Sequence, residues 1–110
     1  MIRALILDDE PLALRLLQGH AQKVEGLQVV AAGTDPFAML DLIRDGQADL
    51  LFLDIQMPEL NGMQFFRIVQ DQIAVVLTTA YEEYSLQGFD YHTVDYLLKP
   101  VSLERFERAV

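Results

Sequence analysis

Five residues spread over these 110 positions carry side chains suited to phosphoryl chemistry: the adjacent acids Asp8 and Asp9, a third acid at Asp54, the hydroxyl of Thr79 and the ammonium of Lys99. Three carboxylates in one crevice repel one another; at an effective dielectric of ~20, each pair about 4 Å apart costs on the order of 4 kcal/mol. A hard divalent cation relieves that repulsion. Mg²⁺ fits, because it takes oxygen ligands in octahedral geometry and keeps waters whose places phosphoryl oxygens can occupy. Zinc fits poorly, since there is no cysteine and neither His20 nor His92 belongs to a cluster. A carboxylate beside such an ion can attack phosphorus and form an acyl phosphate. An ammonium and a hydroxyl would then meet the equatorial oxygens of the transferred group. Taken singly, each residue has an ordinary explanation, as a turn former, a strand threonine or a surface lysine. Only a fold that gathers all five makes the chemistry credible.

The elements that must do the gathering are legible as apolar runs. Leu50 to Leu53 is too short for a helix of its own and reads as a strand buried on both faces, stopping at Asp54. Pro58 disfavours helix at Met57 and turns the chain outward after the acid. Ile2 to Leu7 is a second such strand, running into Asp8-Asp9-Glu10-Pro11. Pro11 suits a first helical turn, and Ala13, Leu16, Leu17, His20, Ala21 and Val24 recur at helical spacing as far as Gly26. Leu27 to Ala32 is a strand closed by Gly33. Thr34-Asp35-Pro36 caps a helix expected to carry Phe37, Leu40 and Ile43 inward, and Gly46 ends it. Gly62 to Val69 is a further amphipathic stretch, and Ile73 to Leu77 a strand that leads to Thr78-Thr79-Ala80. Tyr81 to His92 reads as a short helix, Val94 to Leu98 as a strand entering Lys99-Pro100, and Ser102 as the cap of a helix with Leu103, Phe106 and Val110 on its apolar face. Five strands alternating with helices imply right-handed crossovers and a doubly wound α/β parallel sheet covered on both faces. Ligands of such sheets sit beyond the carboxyl ends of the strands, and all five chemical residues are expected just past those ends.

Composition narrows the function. The length suits one domain, and no apolar run approaches the ~20 residues of a bilayer span. No membrane association is therefore expected, nor does the start resemble a secretory signal. Absence of cysteine is compatible with a cytoplasmic setting. A net charge of −9 opposes direct attraction to nucleic-acid phosphates.

Over essentially its whole length the chain resembles the receiver domains of two-component response regulators. The matching pieces are Leu7-Asp8-Asp9-Glu10, Leu53-Asp54-Ile55-Gln56-Met57-Pro58 with Asn61-Gly62, Thr79-Ala80, and Tyr96-Leu97-Leu98-Lys99-Pro100. Thr79-Ala80-Tyr81-Glu82-Glu83-Tyr84 and Val94 to Pro100 are similar to LytTR-type regulators, whose receivers precede a mostly β DNA-binding domain. The resemblance implies a flavodoxin-like sheet in the order 2-1-3-4-5, and assigns roles. Asp54 matches the phospho-acceptor, Asp9 the direct Mg²⁺ ligand, Asp8 its partner, and Gln56 a backbone carbonyl ligand. Thr79 matches the switch hydroxyl, Lys99 the phosphate-binding lysine and Tyr96 the aromatic that reorients. Gln56 and Tyr81 stand where the family tunes acyl-phosphate hydrolysis, and the Lys99-Pro100 bond is usually cis. A sensor histidine kinase is the implied donor, a homodimer on phosphorylation the implied assembly, and transcription the implied output. The protein would not be an enzyme beyond catalysing its own phosphoryl transfer and dephosphorylation. Residues 1–110 would be a receiver excised from a longer regulator, because the apolar pattern is still running at Val110, with DNA reached only through an absent output domain.

Rival readings are a small phosphatase of the haloacid-dehalogenase-like kind, a phosphate-independent interaction module, and a stand-alone receiver. The first expects Asp-x-Asp and a cap insertion, whereas Asp8 and Asp9 are adjacent and the chain has no room for a cap. The second expects loss of Asp54, Lys99 or the acid pair, and all are present.

Overall fold

The computed structural model describes residues 1–55, 62–79, 95–99 and 101–110, with backbone alone for Gly62, Met63, Asp95, Tyr96 and Leu98. Five parallel strands, β1 (Ile2–Leu7), β2 (Leu27–Gly33), β3 (Leu50–Asp54), β4 (Ala74–Thr79) and β5 (Asp95–Leu98), form one sheet in the order β2-β1-β3-β4-β5. Helices α1 (Pro11–Gln22), α2 (Pro36–Arg44), α3 (Gly62–Val69) and α4 (Leu103–Ala109) cover both faces. The expected helix at Tyr81 to His92 lies outside the described residues.

Strand alternation sorts the core into two layers. Leu5, Leu7, Leu51, Leu53, Val75 and Leu77 pack against Met39 and Ile43 of α2 and Phe65, Phe66 and Val69 of α3. Ala4, Ile6, Leu50, Phe52, Val76 and Leu97 face the other way, onto Leu17 and Ala21 of α1 and Phe106 and Ala109 of α4. Because β1 and β3 are buried on both faces, their sequences are continuous apolar runs rather than alternating ones.

Local signals set the helix ends. Pro11 and Pro36 occupy the first turns of α1 and α2, where a missing N–H costs nothing. Asp35 caps α2 by accepting from the amides of Phe37 and Ala38, and Ser102 caps α4 by accepting from that of Arg105. At the end of α2, Gly46 adopts φ +68° while its amide donates to Ile43 and that of Gln47 to Leu42, which satisfies two carbonyls the helix leaves open.

Three expectations are corrected. Phe37 points outward, 72% exposed, and Met39 takes its place inside with Ile43; Asp35 and Pro36 fix the phase of α2 so that its first turn faces solvent. On α1 the inner stripe is Leu14, Leu17 and Ala21, continued by Val24 just past the helix, leaving Leu16 at 39% exposure. Finally, β4 runs two residues further than its apolar run, so Thr79 is the last residue of a strand, as Asp54 is, rather than lying past one.

β2 is an edge strand and carries one irregularity. Ala4 is opposite Val29 and Leu5 opposite Ala31, so Val30 has no counterpart on β1. At the amino end of the sheet Arg3 grips Asp49, with its guanidinium at 3.1 Å and its amide at 2.8 Å, so the entries of β1 and β3 are tied together. Arg3 holds the Asp49 carboxyl below the ordinary 3.8. A depressed carboxylate contributes stability above its unfolded value and loses it as pH falls through the folded one. Acid titration of the melting temperature should therefore show a decline below about pH 4 that is smaller in Asp49→Asn; identical acid limbs would reject the linkage.

Candidate functional site

The chain leaves β1 through α1 toward β2 on one side, and leaves β3 through α3 toward β4 on the other. The strand order reverses between β1 and β3, opening a crevice above their carboxyl ends. Asp8 follows β1 and Asp54 ends β3, so the topology itself brings the two acids to one place.

Single amides beyond the strand pairing hold the loops there. Asp8 N–H donates to Gly33 at 3.2 Å, Ile55 N–H to Thr78 at 3.2 Å and Lys99 N–H to Thr79 at 2.7 Å. Within this frame one carboxylate oxygen from each of Asp8, Asp9 and Asp54 lies within 4.8 Å of the others. Lys99 Nζ stands 2.9 Å from Asp8 Oδ2 and 3.4 Å from Asp54 Oδ2, with Glu10 Oε2 at 4.0 Å. Asp8 is fully buried and Asp54 is 2% exposed, so this is a desolvated ion cluster, not a surface pair.

Burial presses the Lys99 ammonium toward neutrality, but the close contact with Asp8 and the charges of Asp54 and Asp8 outweigh it and raise its pKa above 10.5. Lys99 is therefore an ammonium at neutral pH. Three carboxylates against one ammonium still leave two negative charges in the crevice.

The residues fit a hard cation. Asp8 Oδ1 accepts from the Glu10 amide at 2.9 Å, which orients the carboxylate. Its buried Oδ2 meets only the Lys99 charge among the described residues, at an angle outside hydrogen-bond geometry. That oxygen has lone pairs to spend, the neighbouring donors are all oxygen, and a divalent ion would cancel the residual charge.

Of the residues singled out from sequence, Asp8, Asp9, Asp54 and Lys99 are brought together. Thr79 is buried at the end of β4, and its carbonyl anchors Lys99. In the strand register Thr78, and not Thr79, is the residue directly opposite Asp54. The backbone of Tyr96 lies in β5; its side chain, like Gln56, Tyr81 and Pro100, falls outside the described residues.

Two participants escaped the sequence reading. Glu10 adds a fourth carboxylate at the mouth, signalled only by its place after Asp8-Asp9. Thr78 is wholly buried, and its Oγ1 has no hydrogen-bond partner among the described residues. It lies against a cavity of ≈ 390 Å³ bounded by Leu12, Leu16 and Leu17 of α1, by Lys99 and by Val101.

Comparison with known proteins agrees with this geometry. The family model for the response regulator receiver domain matches residues 4–110. The transcriptional regulatory protein BtsR of Escherichia coli K12 is 34% identical over all of this chain and 47% of its own length. An uncharacterized response regulatory protein of Vibrio cholerae is 35% identical with the same coverage. The chain thus spans about half the length of the curated relatives it matches. The response regulatory domain of mrkE from Klebsiella pneumoniae superposes with a TM-score of 0.87 at 25% identity, covering 98% of this chain and 91% of that one. The receiver domain of AraT from Geobacillus stearothermophilus gives 0.78 at 27% identity, covering 97% and 88%.

Proposed function

The chain belongs to the response regulator receiver domain family, and on that premise we propose that Asp54 accepts a phosphoryl group from a histidine kinase and that the crevice around it drives the transfer. The observation that carries this reading is the Lys99 ammonium set between two buried carboxylates from different strands, with a third beside them. Such a cluster is costly to bury unless the charges are used.

In the proposed step an Asp54 oxygen attacks phosphorus, an O–P bond forms, and the P–N bond to the donor imidazole breaks, the imidazole leaving with its electron pair and taking a proton. Asp8 and Asp9, with Asp54 and the Gln56 carbonyl, would hold Mg²⁺, which supplies charge neutralisation for the transferring oxygens. Lys99 releases part of its contact with Asp8 and Asp54 to meet the new dianion. The Leu12 side chain, 70% exposed, and Leu16 border the cleft beside Lys99, and they give a protein donor an apolar footing that a small phosphate ester would not need.

Thr79 is the proposed switch. Its hydroxyl would turn to the phosphoryl oxygens, and Tyr96 would follow into the vacated space. The finer assignments rest on the resemblance of the sequence motifs. The regulator would be of LytTR type, cytoplasmic, pairing with a second copy when phosphorylated and reaching DNA through a separate output domain to control transcription. The domain would catalyse only its own phosphorylation and dephosphorylation. Among the described residues no helix is long and apolar enough to cross a membrane.

Mg²⁺ offers the direct test. Acetyl phosphate with Mg²⁺ should add one phosphoryl group by intact mass, and excess chelator should prevent it. Mg²⁺ at a hundredfold excess over its dissociation constant should also raise unfolding free energy by about 2.7 kcal/mol. A denaturation curve unmoved by Mg²⁺, with labelling indifferent to chelator, would remove the cation from the proposal.

A further inference from the structure

His20 lies on α1, far from the acids in sequence, yet its Nε2 is 2.7 Å from the carbonyl oxygen of Val101, two residues after Lys99. A carbonyl only accepts, so Nε2 carries the proton and donates. The ring also leans on Phe106, centroids 5.7 Å apart, and Phe106 stacks on Phe52 at 4.8 Å, two residues ahead of Asp54.

The two ends of the short segment carrying Lys99 are thereby pinned to different elements. Its leading amide is bonded to β4 through Thr79, and its trailing carbonyl to α1 through His20. α1 is also the helix that emerges from the Asp8-Asp9-Glu10 loop. The His20 bond therefore fixes the separation of two loops whose side chains meet as the 2.9 Å pair of Lys99 with Asp8. A flexible four-carbon side chain such as lysine is placed only as well as its backbone is.

We infer that His20 is a positioning residue for phosphoryl transfer: its Nε2–H bond to Val101 holds the segment bearing Lys99 against the helix that follows the acidic loop. This rests on the role proposed above for Lys99. One part-buried neutral hydrogen bond, spent wholly on placing the ammonium, corresponds to about a three- to tenfold change in rate.

His20→Phe keeps a ring against Phe106 and deletes the donor; His20→Gln restores a donor. With acetyl phosphate and Mg²⁺, the Phe variant should label about three- to tenfold more slowly than wild type, and the Gln variant should recover to within about twofold. In a Lys99→Ala background the same Phe change should alter the rate by less than about twofold, because the group it positions is gone. A merely structural role predicts equal losses in both backgrounds, and that result, or no loss at all, overturns the inference. Should His20→Phe not melt cooperatively, His20→Met takes its place. Lys99→Ala labelling as fast as wild type would instead strike the role of Lys99, which separates the two failures. In the wild-type protein the imidazole ¹⁵N shifts should show the proton on Nε2; a bare Nε2 at neutral pH overturns the inference independently.

Discussion

Asp54→Asn is expected to abolish phosphoryl labelling while leaving the protein folded, and in the absence of divalent cation more stable than wild type. The amide has no anionic oxygen to attack phosphorus, so loss should be complete rather than partial. The stability gain follows from the distances. Asp54 stands within 4.8 Å of carboxylate oxygens on Asp8 and Asp9, and 3.4 Å from the Lys99 ammonium. At an effective dielectric of ~20, two repulsions outweigh one attraction, and removing the charge relieves on the order of 2 kcal/mol. Desolvation acts in the same direction, because Asp54 is 2% exposed and a neutral amide is cheaper to bury. Intact mass after acetyl phosphate plus Mg²⁺ reads the first effect, and urea denaturation in chelator reads the second. Full labelling of the variant would place the phosphoryl group elsewhere; a destabilised variant would mean that the Lys99 contact outweighs the acid repulsion.

Lys99→Ala should have the opposite effect on stability and a large effect on rate. It removes the positive charge that the described part of the crevice contributes, and leaves Asp8 and Asp54 buried with like charges. Breaking a buried pair by deleting one partner costs about 3–5 kcal/mol, limited here by proton uptake on one carboxylate. Mg²⁺ should restore part of that loss, so the variant should gain more from the ion than wild type does. The rate of labelling should fall by about 10²–10³, the usual consequence of deleting one preorganised donor to a developing anion. Parallel unfolding curves with and without Mg²⁺, and time courses by intact mass, check both. A variant that labels at the wild-type rate would make Lys99 a structural counter-ion only.

Much of this site was open to sequence reading because its residues sit at strand termini, and strands buried on both faces announce themselves as apolar runs. Asp8, Asp54 and Lys99 each close such a run, and a parallel sheet leaves those ends together. The errors lie where one pattern admits two phases. Phe37, Leu40 and Ile43 share helical spacing, and so do Met39 and Ile43; which stripe meets the sheet depends on where the cap starts the turn. On α1, Leu16 and Leu14 present the same ambiguity. Thr78 and Thr79 are polar and blur the end of β4, so the residue opposite Asp54 was not recognisable as Thr78. Contacts across long separations left no trace at all. The bond from His20 to Val101 spans 81 positions, and nothing near either residue signals it. That Lys99 lies nearer Asp8 than Asp54 is a matter of ångströms, which spacing along a chain does not encode.

The unmatched Val30 bears on how two copies of this domain can meet. A regular outer strand would offer a neighbouring molecule a template for zipping on, the route to fibrous assembly. Here the outer strand at one border carries an extra residue that breaks its register, and the strand at the other border is, among the described residues, the short Asp95–Leu98. Neither border suits lateral growth, so the sheet edges of this domain are poor templates for strand-to-strand joining of copies.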